Sequence, residues 1–241
     1  MNKLIVLYRV TIFIFVFFAQ YFKLWKYSLI NKTKLKLYPR LLDKTINTSF
    51  DRHYVYHVSW ALDRISEKLN TLKISKHVDI GSSLFFVMSL ANNHKVEFVD
   101  VRPPVIEHEN LKLIEADVTN LPYDSLSLSS LSILHVIEHL GLGRYGDELD
   151  FSADIKAAKE ISRVLCSGGF LFLVTPTGKP AVHFNAHRVY AKDEIIKMFN
   201  EFELIEFNFL KELDGGILKN PSIELISKEE YGCGFYIFEK K

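Results

Sequence analysis

The chain has only two cysteines, Cys166 and Cys233, in 241 residues. Two cysteines cannot build a disulfide framework, and no CxxC spacing suggests a zinc ribbon, so a reducing compartment is the default expectation. Acidic residues are missing from the first 42 positions, where eight cations (Lys3, Arg9, Lys23, Lys26, Lys32, Lys34, Lys36 and Arg40) precede Asp43. Over residues 43–241 that leaves 22 basic against 29 acidic residues, a net of −7 beneath an overall charge of +1. An acidic body excludes nucleic acid as a favoured partner, whereas a basic arm favours anionic surfaces. Repeats and low-complexity stretches are absent as well. The 48% hydrophobic content suffices for one large core.

A long uninterrupted apolar run is also missing. Leu4 to Phe22 reads LIVLYRVTIFIFVFFAQYF, which Arg9 and Gln20 divide. No small-x-small site follows Ala19, which argues against a cleaved signal peptide. The segment therefore reads as an interfacial helix, a single-pass anchor, or a helix packed on the domain. The cationic flank to Arg40 would keep the downstream domain on the cytoplasmic face of a membrane, either peripheral or single-pass. A solvated Lys-rich linker is the plainer alternative. Residues 1–45 are thus read as a basic, membrane-associating arm and 46–241 as the folded domain.

From there strand and helix patterns alternate. Asp51 can cap a helix whose apolar positions Val55, Val58, Leu62, Ile65 and Leu69 keep near 3.6-residue spacing. HVDI (77–80), VEFVD (96–100), LKLIEAD (111–117) and LSILHV (131–136) read as strands, the first leading through GSS into an apolar helix. A helix over about 152–165 ends at Ser167-Gly168-Gly169 and precedes FLFLVTP. A helix over about 191–199 and the strands FELIEFNFL and GFYIFEK complete the pattern. This order predicts a doubly wound, mostly parallel α/β sheet of seven strands with an apolar N-terminal helix.

Ligands of such sheets bind beyond the carboxyl ends of the strands. Asp79, Gly81, Ser82 and Ser83 form the first turn, opening a helix N-terminus that suits an anionic group. Asp100 ends the second strand nineteen residues after Gly81, where an acid can accept both hydroxyls of a ribose. Asp117 and Val118 end the third, placed to meet an adenine edge. Strand-end acids are also commonly just solvated; three in order at these spacings are more specific.

With HVIEHL (135–140) and RVLCSGGFLFLVTP (163–176), these residues resemble class I S-adenosylmethionine-dependent methyltransferases of small molecules, over about residues 76–210. More narrowly, FDRHYVYHVSWA (50–61), HVIEHLGLGRYGDELD (135–150), FNAHRVY (184–190), DGG (214–216) and YGCGF (231–235) resemble a methyltransferase-like domain-of-unknown-function family, often encoded among surface-polysaccharide genes. The resemblance implies S-adenosylmethionine as cofactor, held by Asp79, Gly81, Ser82, Ser83, Asp100, Asp117, Val118 and His135. It also implies a small-molecule or lipid-linked glycan substrate. The chain departs from the GxGxG turn: Ser83 and Phe85 stand where the second and third glycines would be, and Phe85 should crowd the cofactor unless it turns into the core.

Candidate catalytic residues lie in the loops after the fourth and fifth strands: Glu138, His139, Arg144, Asp147, Asn185 and His187. A hydroxyl acceptor needs a base, for which His139 comes first and Asp147 second, since imidazole titrates near neutrality. Arg144 can clamp a phosphate or carboxylate. Each has a bland reading beside this one: a loop-bracing His139, or an Arg144 paired with Asp147 or Glu148. His53/His57 and His135/His139 have the i,i+4 spacing that can chelate a metal. Without a neighbouring cysteine or carboxylate cluster, no metal is assigned. Cys233 reads as a buried structural thiol. The leading expectation is a methyltransferase acting on a sugar or glycan precursor. A glycan-modifying enzyme that has lost the cofactor, or a non-catalytic membrane-assembly protein, are the alternatives.

Overall fold

The computed structural model describes residues 3–37, 39, 48 and 50–241, with side chains from residue 11 onward. The chain forms two compact units, Met1–Phe50 and Asp51–Lys241. The first contains helix α1 (Lys3–Asn31). Among the described residues no helix is long and apolar enough to cross a membrane.

The second unit opens with α2 (Arg52–Thr71), capped as its sequence predicts: the Asp51 carboxylate accepts from Tyr54 N–H at 3.1 Å. Strands β1 (His77–Ile80), β2 (Val96–Asp100), β3 (Leu111–Glu115), β4 (Leu128–Leu134) and β5 (Leu165–Thr177) come next, with α3 (Leu84–Ala91) between β1 and β2 and α4 (Ala153–Val164) before β5. A short ribbon of β6 (Ala181–His183) and β7 (His187–Val189) leads to α5 (Lys192–Met198), β8 (Phe202–Lys211), β9 (Leu218–Lys219), α6 (Ile223–Ile226) and β10 (Gly232–Lys240).

The main sheet has the order β3-β2-β1-β4-β5-β10-β8-β9. It is parallel from β3 to β5 and antiparallel beyond. The sequence expectation of seven strands falls one short, because β9 is a two-residue pairing with β8 that carries no periodic signal. The ribbon β6/β7 likewise escaped detection. Helices cover both faces. On one, Ala157, Ile161 and Val164 of α4 and Ile195 of α5 pack with Leu171 and Leu173. On the other, Trp60, Ala61, Ile65 and Leu69 of α2 and Phe86, Val87 and Leu90 of α3 pack with Phe170, Phe172 and Val174. The alternation along β5 is the two-residue period of a strand buried on both sides.

Candidate functional site

At the carboxyl edge of the parallel strands, the turn after β1 is built from beneath. Asp79 is fully buried, and its carboxylate accepts from Ser82 N–H (3.1 Å), Ser82 Oγ (2.7 Å) and the Ser132 hydroxyl of β4. Ser82 Oγ in turn accepts from Leu134 N–H at 3.1 Å. Burial pushes the Asp79 carboxyl up to about 6, against the pull of these hydrogen bonds. Asp79 and Ser82 are thus buried beneath the turn and tie β1 to β4.

Gly81 turns the chain with φ +60°, and a Cβ there would stand 3.3 Å from Val136 Cγ2 and 3.8 Å from Asp100 Oδ2. The Asp100 carboxylate therefore faces the turn; its Oδ1 accepts from Arg102 N–H at 2.7 Å. Ser83 caps α3 by accepting from Phe86 N–H at 3.4 Å. The Phe85 side chain does not fold into the core: it is 85% exposed. Asp117 is exposed, and its Oδ1 closes its own turn by accepting from Thr119 N–H and Oγ1, while Val118 is buried in the core.

The loop after β4 carries the second group. His135 adopts φ +57°, an uncommon conformation for a non-glycine residue, and its N–H donates to Val174 O at 2.8 Å. Immediately beyond it lies a 3-10 turn, Ile137–His139. Glu138 is buried (1% exposed) and central: its carboxylate lies 3.0 Å from His135 Nδ1, 3.3 Å from Thr175 Oγ1 and 3.8 Å from His139 Nε2. His139 Nδ1 lies 2.6 Å from Ala186 O and 3.2 Å from an Arg144 guanidinium nitrogen, which itself donates to Ala186 O at 3.2 Å. Two donors converging on one carbonyl is the consistent arrangement, so His139 donates through Nδ1 and presents Nε2 as a lone pair toward Glu138. The His187 ring stands 6.4 Å from that of His139, and burial with nearby His183 lowers its pKa.

Two candidates stand apart. Asp147 accepts from Gly143 N–H and Tyr145 N–H at 3.1 Å each, which hold its pKa down. It pins the glycine loop and is a poor base at neutrality, so the convergence of His139 with Asp147 gives way to one with Glu138. Asn185 is exposed. Arg144 packs over Tyr145, 5.1 Å from the ring centre, and the alternative pairing with Asp147 or Glu148 is not formed. Arg188, buried beside Asp154 at 3.5 Å, donates to Leu140 O at 2.7 Å and fastens the loop to α4.

Sequence reasoning missed the grouping beyond His135. The N-terminal turns of α2 bring His53 and His57 against it, with ring centres 5.7 and 5.0 Å away. Tyr54 stacks on His135 at 5.8 Å and Tyr231 on His53 at 5.1 Å. From β10, Cys233 Sγ comes within 3.4 Å of His135 Nε2. Burial, reinforced by His135, lowers His53 to about 4 and His57 to about 3, so both are neutral at pH 7. The histidine spacings were visible in the sequence, but the grouping crosses between the two pairs rather than forming within either.

Solved structures share this architecture at low identity. A candidate sarcosine dimethylglycine methyltransferase from Galdieria sulphuraria aligns over 76% of this chain and 86% of its own, with 9% identity and a TM-score of 0.55. A 1,6-didemethyltoxoflavin-N1-methyltransferase from Burkholderia thailandensis, solved with its namesake ligand and S-adenosylhomocysteine, aligns over 82% and 93% at 11% identity and TM-score 0.51. The chain has a methyltransferase-like fold. The [4+2]-cyclase SpnF aligns equally well (75% and 80%, 13% identity, TM-score 0.53), so the architecture by itself does not name a reaction. A family model described as Caenorhabditis protein of unknown function, DUF268, matches residues 123–219. No curated protein matches the chain.

Proposed function

We propose that the chain is an S-adenosylmethionine-dependent methyltransferase whose acceptor is a hydroxyl of a sugar or glycan precursor. One observation carries the reading: Gly81 turns at positive φ with the Asp100 carboxylate facing it, at the same sheet edge as His139 and Glu138. The residues fit the cofactor. Gly81 leaves the turn free of a Cβ, Phe85 points to solvent, and Asp79 is withdrawn beneath. Asp100 would accept the ribose hydroxyls, and the N–H groups opening α3 would face the methionine carboxylate. The cofactor, when bound, supplies an electrophilic methyl group.

The acceptor side is argued from the loop geometry. His139 Nε2, 3.8 Å from the Glu138 carboxylate, receives the acceptor's proton. Arg144, held against Ala186 O, orients an anionic part of the acceptor such as a lipid-linked phosphate.

The arm is proposed to adsorb to the cytoplasmic face of a membrane. Support comes from α1, which exposes Phe15, Phe22, Trp25 and Ile30 alongside Lys23 and Lys26. Calorimetric titration of the full chain with S-adenosylhomocysteine tests the reading. Stoichiometric binding is expected, and absence of binding at millimolar ligand refutes it.

A further inference from the structure

The histidine cluster beyond Glu138 is not used by the chemistry above. His53, His135 and Cys233 each offer one ligand atom, and these atoms all lie within 4.8 Å of one another. They come from the start of α2, the loop after β4 and the start of β10. We propose that these three residues bind a divalent transition metal ion of the zinc class, with Glu212 as the fourth ligand.

The distances suit such an ion. Zn–S and Zn–N bonds of about 2.3 and 2.0 Å at a tetrahedral angle separate sulfur from nitrogen by about 3.5 Å, and Cys233 Sγ lies 3.4 Å from His135 Nε2. A ligand atom of His53 lies within 4.8 Å of both. Glu212 Oε2 already stands 3.0 Å from His53 Nε2. That contact lacks hydrogen-bond geometry, leaving His53 Nε2 and His57 Nε2 as buried nitrogens without a hydrogen-bond partner. Buried polar atoms are normally satisfied, and an imidazole lone pair in this state suits a cation.

The surroundings prepare His135 for the role. Its Nδ1 lies 3.0 Å from the buried Glu138 carboxylate, which fixes the ring with Nε2 as the lone pair facing Cys233. A carboxylate behind an imidazole is the usual support of a metal-bound histidine. Metal binding forms the metal–sulfur bond while the Cys233 S–H proton leaves to solvent.

Cobalt is the probe. Chelator-stripped full-length protein titrated with Co²⁺ should take up one equivalent, giving a thiolate-to-metal charge-transfer band and intense tetrahedral d–d bands that zinc abolishes. Cys233→Ser should remove the charge-transfer band. Glu138→Gln should weaken the metal by about 10–100-fold. In the unmodified chain, zinc at about a hundredfold excess over its Kd should raise the melting temperature by roughly 5–10 °C. If Cys233→Ser does not fold, His53→Ala, at the Glu212 end of the cluster, must lower cobalt affinity at least tenfold instead. No cobalt band together with no zinc-induced melting shift overturns the site, as does a charge-transfer band that survives in folded Cys233→Ser. The assay uses neither cofactor nor acceptor, so its outcome is independent of the methyltransferase reading.

Discussion

Asp79→Asn offers a quantitative test of how the turn after β1 is built. The wild-type carboxyl is fully buried and held up at about 6, against 3.8 for the free group. At about 1.4 kcal/mol per tenfold change in proton affinity, the difference corresponds to about 3 kcal/mol. A raised acid contributes stability that is fully present below the unfolded value and lost as pH rises through the folded one. Asp79 therefore costs wild type about 3 kcal/mol at pH 7 and about 1 kcal/mol at pH 4.5, a swing of about 2 kcal/mol. Buried His53, His57 and His77 run the other way, since depressed histidines give stability above 6.5 that is lost on acidification. They are common to both proteins and cancel in the comparison. His77, which shares the Ser132 hydroxyl with Asp79, is held at about 3 and stays neutral when folded throughout this range. Any hydrogen bond lost in the asparagine variant shifts its stability by a nearly constant amount. The measurement is urea unfolding of both proteins from pH 4.5 to 7. Relative to the variant, wild type should gain about 2 kcal/mol on acidification. A gap constant within about 0.5 kcal/mol would show that the carboxyl titrates normally in the fold, which refutes its burial beneath the turn.

Asp100→Ala should weaken S-adenosylhomocysteine by about 1–3 kcal/mol through lost charge-assisted hydrogen bonds, and unchanged affinity in a folded variant removes the ribose assignment. His139→Ala should cut turnover by about 10²–10⁴-fold while leaving cofactor affinity intact; joint loss of affinity and thermal stability would mark the ring as a brace for Ala186. Gly141→Ala should cost about 3 kcal/mol or more in urea unfolding, because Gly141 has φ +69° and a Cβ there would stand 1.9 Å from Asp150 O. Deleting residues 1–38 should leave a folded body that no longer co-sediments with anionic vesicles. Persistent sedimentation would place the membrane contact elsewhere.

Local periodicity carried most of the fold. The β1 pattern HVDI and the β2 pattern VEFVD match their strands residue for residue, and Asp51 caps the helix that its position announces. These features depend on neighbours a few residues away, so the sequence alone determined them. β4 was misplaced at both ends: it starts at Leu128 and stops at Leu134, because its extent is fixed by pairing with β5 and by the reversal at His135. The site divides in the same way. The spacing of Gly81 and Asp100 was legible because each closes its own strand. What only the tertiary structure decided is which side chains meet: Asp79 goes under the turn, Phe85 out to solvent, Asp147 back onto its own loop, and His53 and Cys233 onto His135. Those last three residues, His53, His135 and Cys233, lie 82 and 98 positions apart along the chain and are joined only by the packing of α2 on the sheet and the pairing of β10 with β5. Such a juxtaposition depends on how elements stack, and no periodicity within one element encodes it.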